Sequence, residues 1–257
     1  MRKTALITGA SSGLGLEFAK LYAQEGYDLV AVARSEGKLY KLKNKLEKQY
    51  GNHVWVLTQD LSQPDAAYEV FNYTLEQNIT IDVLVNNAGF GDFGNFWEVD
   101  AQRQTDLLQV NIIALVQLTR YFLPGMVERR HGRVLNLSSV AAFSAGPRMC
   151  LYYASKEFVR SFSEAVAEEV RGTGVTVTAL CPGPTATGFE QAAQMKNSHM
   201  FSMFKPASAA DVAKAGVRAA QKGKVLRYYG WPTHAVNIAA RLLPRSVCRK
   251  FMKKVNG

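Results

Sequence analysis

The amino-acid sequence predicts a doubly wound α/β fold, a parallel seven-stranded sheet held between two layers of helices. Three observations lead there. Short β-branched apolar runs alternate with amphipathic stretches along the chain, the pattern of stacked βαβ units. The first of these runs passes directly into a glycine-rich loop and then a helical stretch. The 257 residues contain no segment rich in Pro, Gly or Ser that would read as a linker, so a single domain over 1–257 is expected.

Taken in order, strands are expected at 4–8 (Thr-Ala-Leu-Ile-Thr), 28–33, 53–58, 81–85 (Ile-Asp-Val-Leu-Val), 132–138, 175–181 and 224–229. Between them, 13–25, 36–50, 64–77, 101–128, 151–171 and 208–221 carry apolar residues at threefold and fourfold spacing and are expected to be helices. Right-handed crossovers then place helices on both faces of the sheet, and ligands gather beyond the carboxyl ends of the strands.

At the first strand-to-helix turn the chain reads Thr8-Gly9-Ala10-Ser11-Ser12-Gly13-Leu14-Gly15. Free N–H groups and the positive end of a helix favour an anion there, and the missing side chains let a pyrophosphate approach the backbone. The second strand ends Ala31-Val32-Ala33-Arg34-Ser35, without the carboxylate that would bind ribose hydroxyls and repel a 2'-phosphate. Arg34 offers a planar guanidinium suited to phosphate, with Ser35 and Lys38 as further donors, so NADP(H) is favoured over NAD(H). Tyr152 and Lys156, at i and i+4 in Tyr-Tyr-Ala-Ser-Lys, would share one face of a helix. A neighbouring ammonium and a cationic nicotinamide would together favour the phenolate and tune Tyr152 for proton transfer. Tyr153 lacks such a partner, since Glu157 stands four residues on.

The spacing Gly-x3-Gly-x-Gly, the Asp60-Leu61 pair after the third strand and Asn86-Asn87-Ala88-Gly89 after the fourth resemble the ordinary short-chain dehydrogenase/reductase family over about residues 1–230. The resemblance implies a Rossmann-type fold and cofactor contacts from Gly9, Ser11, Ser12, Gly13, Leu14, Gly15, Asp60, Leu61, Asn87, Ala88 and Gly89. It extends those contacts to Tyr152, Lys156 and the Pro-Gly-x3-Thr-like run Pro182, Gly183, Thr185 and Thr187. It also implies that Ser139, thirteen residues before Tyr152, holds the substrate oxygen, and that Asn111 joins a proton relay to Lys156. Tyr152 would then exchange a proton with a carbonyl or alcohol while hydride moves at the pro-S face of the nicotinamide. Enoyl reduction, in which Tyr and Lys stand seven apart, does not fit. An acyl carrier protein ketoreductase is the closest rival reading; a non-catalytic NADP-sensing regulator is disfavoured by the complete Asn111, Ser139, Tyr152 and Lys156 set.

Two apolar segments are expected to form the pocket for a carbonyl or alcohol substrate of moderate size. One runs from Phe90 through Phe93 to Trp97; the other, a substrate loop over about 184–206, carries Phe189, Met195, Met200, Phe201, Met203 and Phe204. Phe143 and Met149 are expected to line the same pocket.

The start of the chain, two charges and a short apolar run, is too little for a signal peptide, and no run reaches the roughly 18 apolar residues of a membrane span. Cys150, Cys181 and Cys248, without C-x-x-C spacing, suit a reducing compartment and no metal site, so the cytoplasm is expected. Net charge is +10, and no acidic residue follows Asp211. This basic C-terminal extension, about 232–257, includes an amphipathic stretch at 245–255 that could lie on a membrane surface, cover a neighbouring subunit or cap the substrate mouth. Nucleic-acid binding is not expected from a tail alone. By resemblance, helices 101–128 and 151–171 would form a homodimer or homotetramer contact.

Overall fold

The structure, a computed structural model, describes residues 2–189, 193 and 206–256. Met195, Met200, Phe201, Met203 and Phe204 of the expected substrate loop lie outside the described residues. Seven strands form one parallel sheet: β1 Thr4–Thr8, β2 Asp28–Ala33, β3 Val54–Thr58, β4 Val83–Asn86, β5 Gly132–Leu137, β6 Val175–Pro182 and β7 Leu226–Tyr229. Their order is β3-β2-β1-β4-β5-β6-β7. The central strands are apolar along their whole length because both faces are covered; every residue of β1 and β4 is buried.

One face is covered by α1 Gly13–Gln24, α2 Glu36–Tyr50 and α7 Ala209–Gln221, through Phe18, Tyr22, Leu39, Leu46 and Val217. The other is covered by α3 Ala66–Glu76, α5 Leu115–Glu128 and α6 Cys150–Glu169, through Val70, Leu118, Phe122, Met126 and Val166, and α4 Ala101–Leu108 lies beside α6. A π-helical turn, Gln109–Ala114, joins α4 to α5, so the helix expected at 101–128 is continuous but locally widened at Asn111. Its 28 residues are long and apolar enough to cross a membrane by length and composition. Here Val110, Ala114, Leu118, Phe122 and Met126 are buried with the sheet residues Leu84 and Val134, as in a core helix.

The direction of strand ordering reverses between β1 and β4, whose following helices pack on opposite faces of the sheet. Thr8 clamps this point: its hydroxyl accepts the backbone N–H groups of Asn87 and Ala88 at 3.0 Å each, and its carbonyl accepts the Asn87 side-chain amide at 2.8 Å. A second buried polar net ties the sheet to its helices. Asn86 donates to Asn136 Oδ1 at 2.9 Å and to Thr119 Oγ1 at 3.1 Å, and Asn136 donates to Ser163 Oγ at 2.9 Å.

The C-terminal extension differs from its expected form. It holds two helices, α8 Trp231–Leu242 and α9 Arg245–Asn256, where only the second was anticipated. The unexpected one starts at Gly230, whose φ of 85° makes the turn out of β7.

Because Asn136 is fully buried and bonded on both sides, Asn136→Ala should cost about 1–3 kcal/mol in urea unfolding. An unchanged midpoint would mean that the net contributes nothing to holding α6 on the sheet.

Candidate active site

The turn after β1 is shaped by what its glycines leave out. Gly9 has φ +67°, and a Cβ on Gly15 would lie 2.1 Å from the Gly9 carbonyl oxygen, so neither position admits a side chain. This close packing brings the start of α1 under the loop. Ser12, its N-cap, makes no side-chain cap hydrogen bond, and the first turn of α1 carries no acidic residue. The helix start therefore keeps its dipole and N–H donors for an external anion.

That helix start opens into a cleft of about 660 Å³, lined among others by Gly9, Ser11, Ser12, Gly13, Leu14, Asn87, Ala88 and Gly89. Arg34, Ser35 and Lys38 line one end, beside Asp60 and Leu61. All three cationic or hydroxyl side chains are exposed. The Asp60 carboxylate accepts the Ser62 backbone N–H at 3.0 Å and its hydroxyl at 2.9 Å, which fixes the loop after β3. Length, glycine cradle and uncapped helix start together fit a dinucleotide.

The other end joins a smaller cavity of about 110 Å³ lined by Ser138, Ser139, Met149, Tyr152, Tyr153, Lys156, Pro182, Gly183, Thr185, Thr187 and Phe189. Leu14, Asn87, Gly89 and Thr187 line both spaces. Here the helical spacing of Tyr152 and Lys156 does what it was expected to do, and a short 3-10 turn, Val140–Phe143, presents Ser139 opposite them. The Ser139 hydroxyl accepts the Ala141 N–H at 3.1 Å and hydrogen-bonds the Tyr152 hydroxyl. The Lys156 ammonium donates to the Leu137 carbonyl at 2.9 Å and stands 5.8 Å from the centre of the Tyr152 ring. Ser138, the serine beside it, has a structural part: its hydroxyl donates to the Lys156 carbonyl at 2.7 Å and pins α6 to the end of β5.

Asn111 sits in the π-helical turn, with its side-chain oxygen accepting the Phe90 N–H at 3.1 Å and its amide donating to the Phe90 carbonyl at 2.9 Å and to Ser155 Oγ at 3.1 Å. A Cβ on Gly89 would lie 2.9 Å from Asn111 Oδ1 and 3.4 Å from Lys156 Nζ, so the bare backbone at Gly89 is where the turn and the lysine converge.

From the sequence, an ammonium and a cationic nicotinamide together are expected to favour the Tyr152 phenolate. Among the protein's own groups burial acts most strongly and pushes the phenol up to about 12, with a Ser139 hydrogen bond pulling the other way. Burial also lowers Lys156, to about 8. Burial thus favours the neutral form of both groups, a phenol at Tyr152 and a lysine at Lys156 that gives up its proton more readily than a solvated one.

The expected substrate contacts divide. Phe93, Met149 and Phe189 gather with Tyr152 and Tyr153 in one apolar cluster, and the Phe189 ring lies 5.0 Å from that of Tyr152. Phe90 and Phe143 do not join it. Phe90 lines the dinucleotide cleft, with the Arg103 guanidinium over its ring. Phe143 points the other way, edge-on to Tyr228 at 5.5 Å and under Arg160, because the 3-10 turn that aims Ser139 inward rotates it outward.

Two contributors were missed. Met252 of α9 packs into the same cluster, and Tyr153, buried, donates its hydroxyl to Asn256 Oδ1 at 3.2 Å, while Asn256 donates to the Pro147 carbonyl at 2.8 Å. The inner edge of the tail thus packs against the apolar cluster that holds Tyr152 and Tyr153. The apolar spacing of Cys248, Met252 and Val255 is the signal that could have indicated it.

Comparison with known proteins agrees with this geometry. A family model described as short chain dehydrogenase matches residues 3–198. A short chain dehydrogenase of Pseudocercospora fijiensis is 36% identical over 185 residues, covering 70% of this chain and 59% of that protein. A very-long-chain 3-oxoacyl-CoA reductase of Pyrenophora tritici-repentis is 35% identical over 178 residues, 67% of this chain and 52% of that one. The chain thus spans little more than half the length of either relative. Among solved structures, a short-chain dehydrogenase from Sphingobium yanoikuyae in complex with NADPH superposes with a TM-score of 0.83 at 28% identity, covering 93% of both chains. A family match over most of the chain, on a sheet whose two site-bearing ends are built from the same ordered motifs, makes this protein a member of the short chain dehydrogenase family.

Proposed function

We propose that the protein is an NADP(H)-dependent oxidoreductase that interconverts an apolar ketone or aldehyde of moderate size with its alcohol. The observation that carries this reading is the Ser139–Tyr152 hydroxyl pair, set above Lys156 where the dinucleotide cleft meets the apolar cavity. The bound dinucleotide would supply or accept the hydride. Its phosphates would lie against the loop from Gly9 to Gly15, its adenine side against Asp60 and Leu61, and its nicotinamide end against Pro182 to Thr187. Arg34, Ser35 and Lys38 suit a 2'-phosphate, and among the described residues Arg34 has no carboxylate partner. The NADPH in the Sphingobium relative's structure supports the same choice.

Ser139 and Tyr152 would hold the substrate oxygen between two hydroxyls. Tyr152, still a phenol at neutral pH, would give its proton to that oxygen during reduction, and Lys156 is the buried group beside it that could return one. Phe93, Met149, Phe189 and Met252 would exclude water and take the apolar body of the substrate. A 3-oxoacyl thioester is the second reading, favoured by the very-long-chain 3-oxoacyl-CoA reductase among the relatives and by the cationic C-terminal segment. Comparing kcat/KM for free apolar ketones and for 3-oxoacyl thioesters separates the two.

An oligomer through the outer sides of α4–α5 and α6 belongs to the same proposal. Ile113 is exposed there, as is Phe158, which stacks on Phe162 at 5.9 Å. The unpaired thiols of Cys150, Cys181 and Cys248 suit a reducing, cytoplasmic setting.

Three measurements test the catalytic reading. Tyr152→Phe should lower turnover by about three orders of magnitude while leaving dinucleotide affinity nearly intact; unchanged turnover would remove Tyr152 from the mechanism. Arg34→Asp should weaken NADPH binding by about tenfold or more and reverse the preference over NADH in a fluorescence titration, whereas equal affinities in both proteins would discard the 2'-phosphate contact. A lysine lowered by burial is charged below its pKa and neutral above it. The rate of carbonyl reduction should therefore hold steady at acid to neutral pH and fall as pH rises through about 8. A profile flat to pH values well above that would exclude Lys156 as the proton source.

A further inference from the structure

Helix α8 is built inside out. Its polar side chains Thr233 and Asn237 are buried, while Trp231, Ile238 and Leu242 are 75%, 56% and 78% exposed. Positions i, i+7 and i+11 fall on one side of a helix, so these three form a single outward apolar stripe, with the small Ala235 between them. The stripe runs on along the chain through exposed Leu243 into α9, where Val247 and Phe251 are half-exposed. Water alone gives such an arrangement no stability, and an apolar strip of this kind marks a surface that meets something else.

Charge identifies the occupant. Arg241, Arg245, Arg249, Lys250, Lys253 and Lys254 are all exposed, and no acidic residue stands anywhere after Asp211. In α9, Lys250 follows Val247 by three residues and Lys254 follows Phe251 by three, which sets each ammonium beside an exposed apolar side chain. A second copy docking symmetrically on this face would oppose the same six cations to themselves without one carboxylate to pair them. An anionic bilayer supplies what both features lack: phosphate oxygens for the cations and an apolar layer for the stripe, with tryptophan at the depth it favours.

We propose that the α8–α9 surface docks on the face of an anionic lipid bilayer. The inner edge of the same α9 packs Met252 into the apolar cluster and bonds Asn256 to Tyr153, so the docked helix has lipid on one side and that cluster on the other. The docking itself does not depend on the proposed reaction, and its test reads binding alone.

The full chain is co-sedimented with vesicles of phosphatidylcholine alone and of phosphatidylcholine mixed with phosphatidylglycerol, at low and high salt. Binding is expected only to the mixed vesicles, and raised salt should weaken it by about tenfold or more. Leu242→Glu, and separately Lys250→Glu with Lys254→Glu, should each reduce partitioning by a similar factor, with circular dichroism and NADPH affinity unchanged. Bromine-labelled lipid should quench a tryptophan signal that Trp231→Phe removes. No binding to the mixed vesicles, or binding indifferent to anionic lipid or to these substitutions, overturns the proposal. A concentration-dependent dimer dispersed by Leu242→Glu would instead assign the surface to a second copy.

Discussion

A polar group buried beside a parallel sheet must find a partner, and in this protein that requirement sets where α6 lies. Asn136, Ser138 and the Leu137 carbonyl are consecutive at the end of β5, and each bonds to α6, at Ser163, at the Lys156 carbonyl and at the Lys156 ammonium respectively. Rotating or sliding the helix by one residue would break all three inside an apolar layer, at a cost comparable to a large share of a domain's stability. The phase thus imposed turns Tyr152 toward Ser139 and the cleft. The geometry of the candidate site is inherited from packing geometry. The clamp of Thr8 on Asn87 and Ala88 plays the same part for the opposite wall, closing β1 to β4 where the cleft begins.

The same burial that demands partners also fixes the charge states. Tyr152 and Lys156 are pushed in opposite directions by one cause, loss of water, each toward its neutral form. The ammonium itself donates to the Leu137 carbonyl. An i, i+4 spacing therefore reports that two groups are neighbours; what each neighbour does with its charge depends on a third group that no local pattern reveals.

This distinction separates what was legible in the sequence from what was not. The strands, the helices over the sheet and the glycine loop follow from period, β-branching and turn chemistry, and their ends agree with the structure to within a residue or two. The π-helical turn at Asn111 was not legible, because it is held by Phe90, twenty-one residues away in the chain. Phe143 was misplaced for a similar reason: apolar character close to Ser139 says nothing about which way a 3-10 turn will rotate it. Helix α8 escaped notice since its apolar stripe faces outward and its buried side is polar, the reverse of the pattern by which surface helices are recognised.

The bond from Tyr153 to Asn256 spans 103 residues, which bears on how the protein comes into being. The sheet and its glycine loop can assemble from segments made early, but the contacts of Met252 with the apolar cluster and of Asn256 with Tyr153 arrive with α9, after every strand is already in place. Until then the Tyr153 hydroxyl has only water to bond, and Met252 is missing from its cluster. A nascent or clipped chain would hold a formed glycine loop beside an apolar cluster still short of one member, so the two regions mature on different schedules.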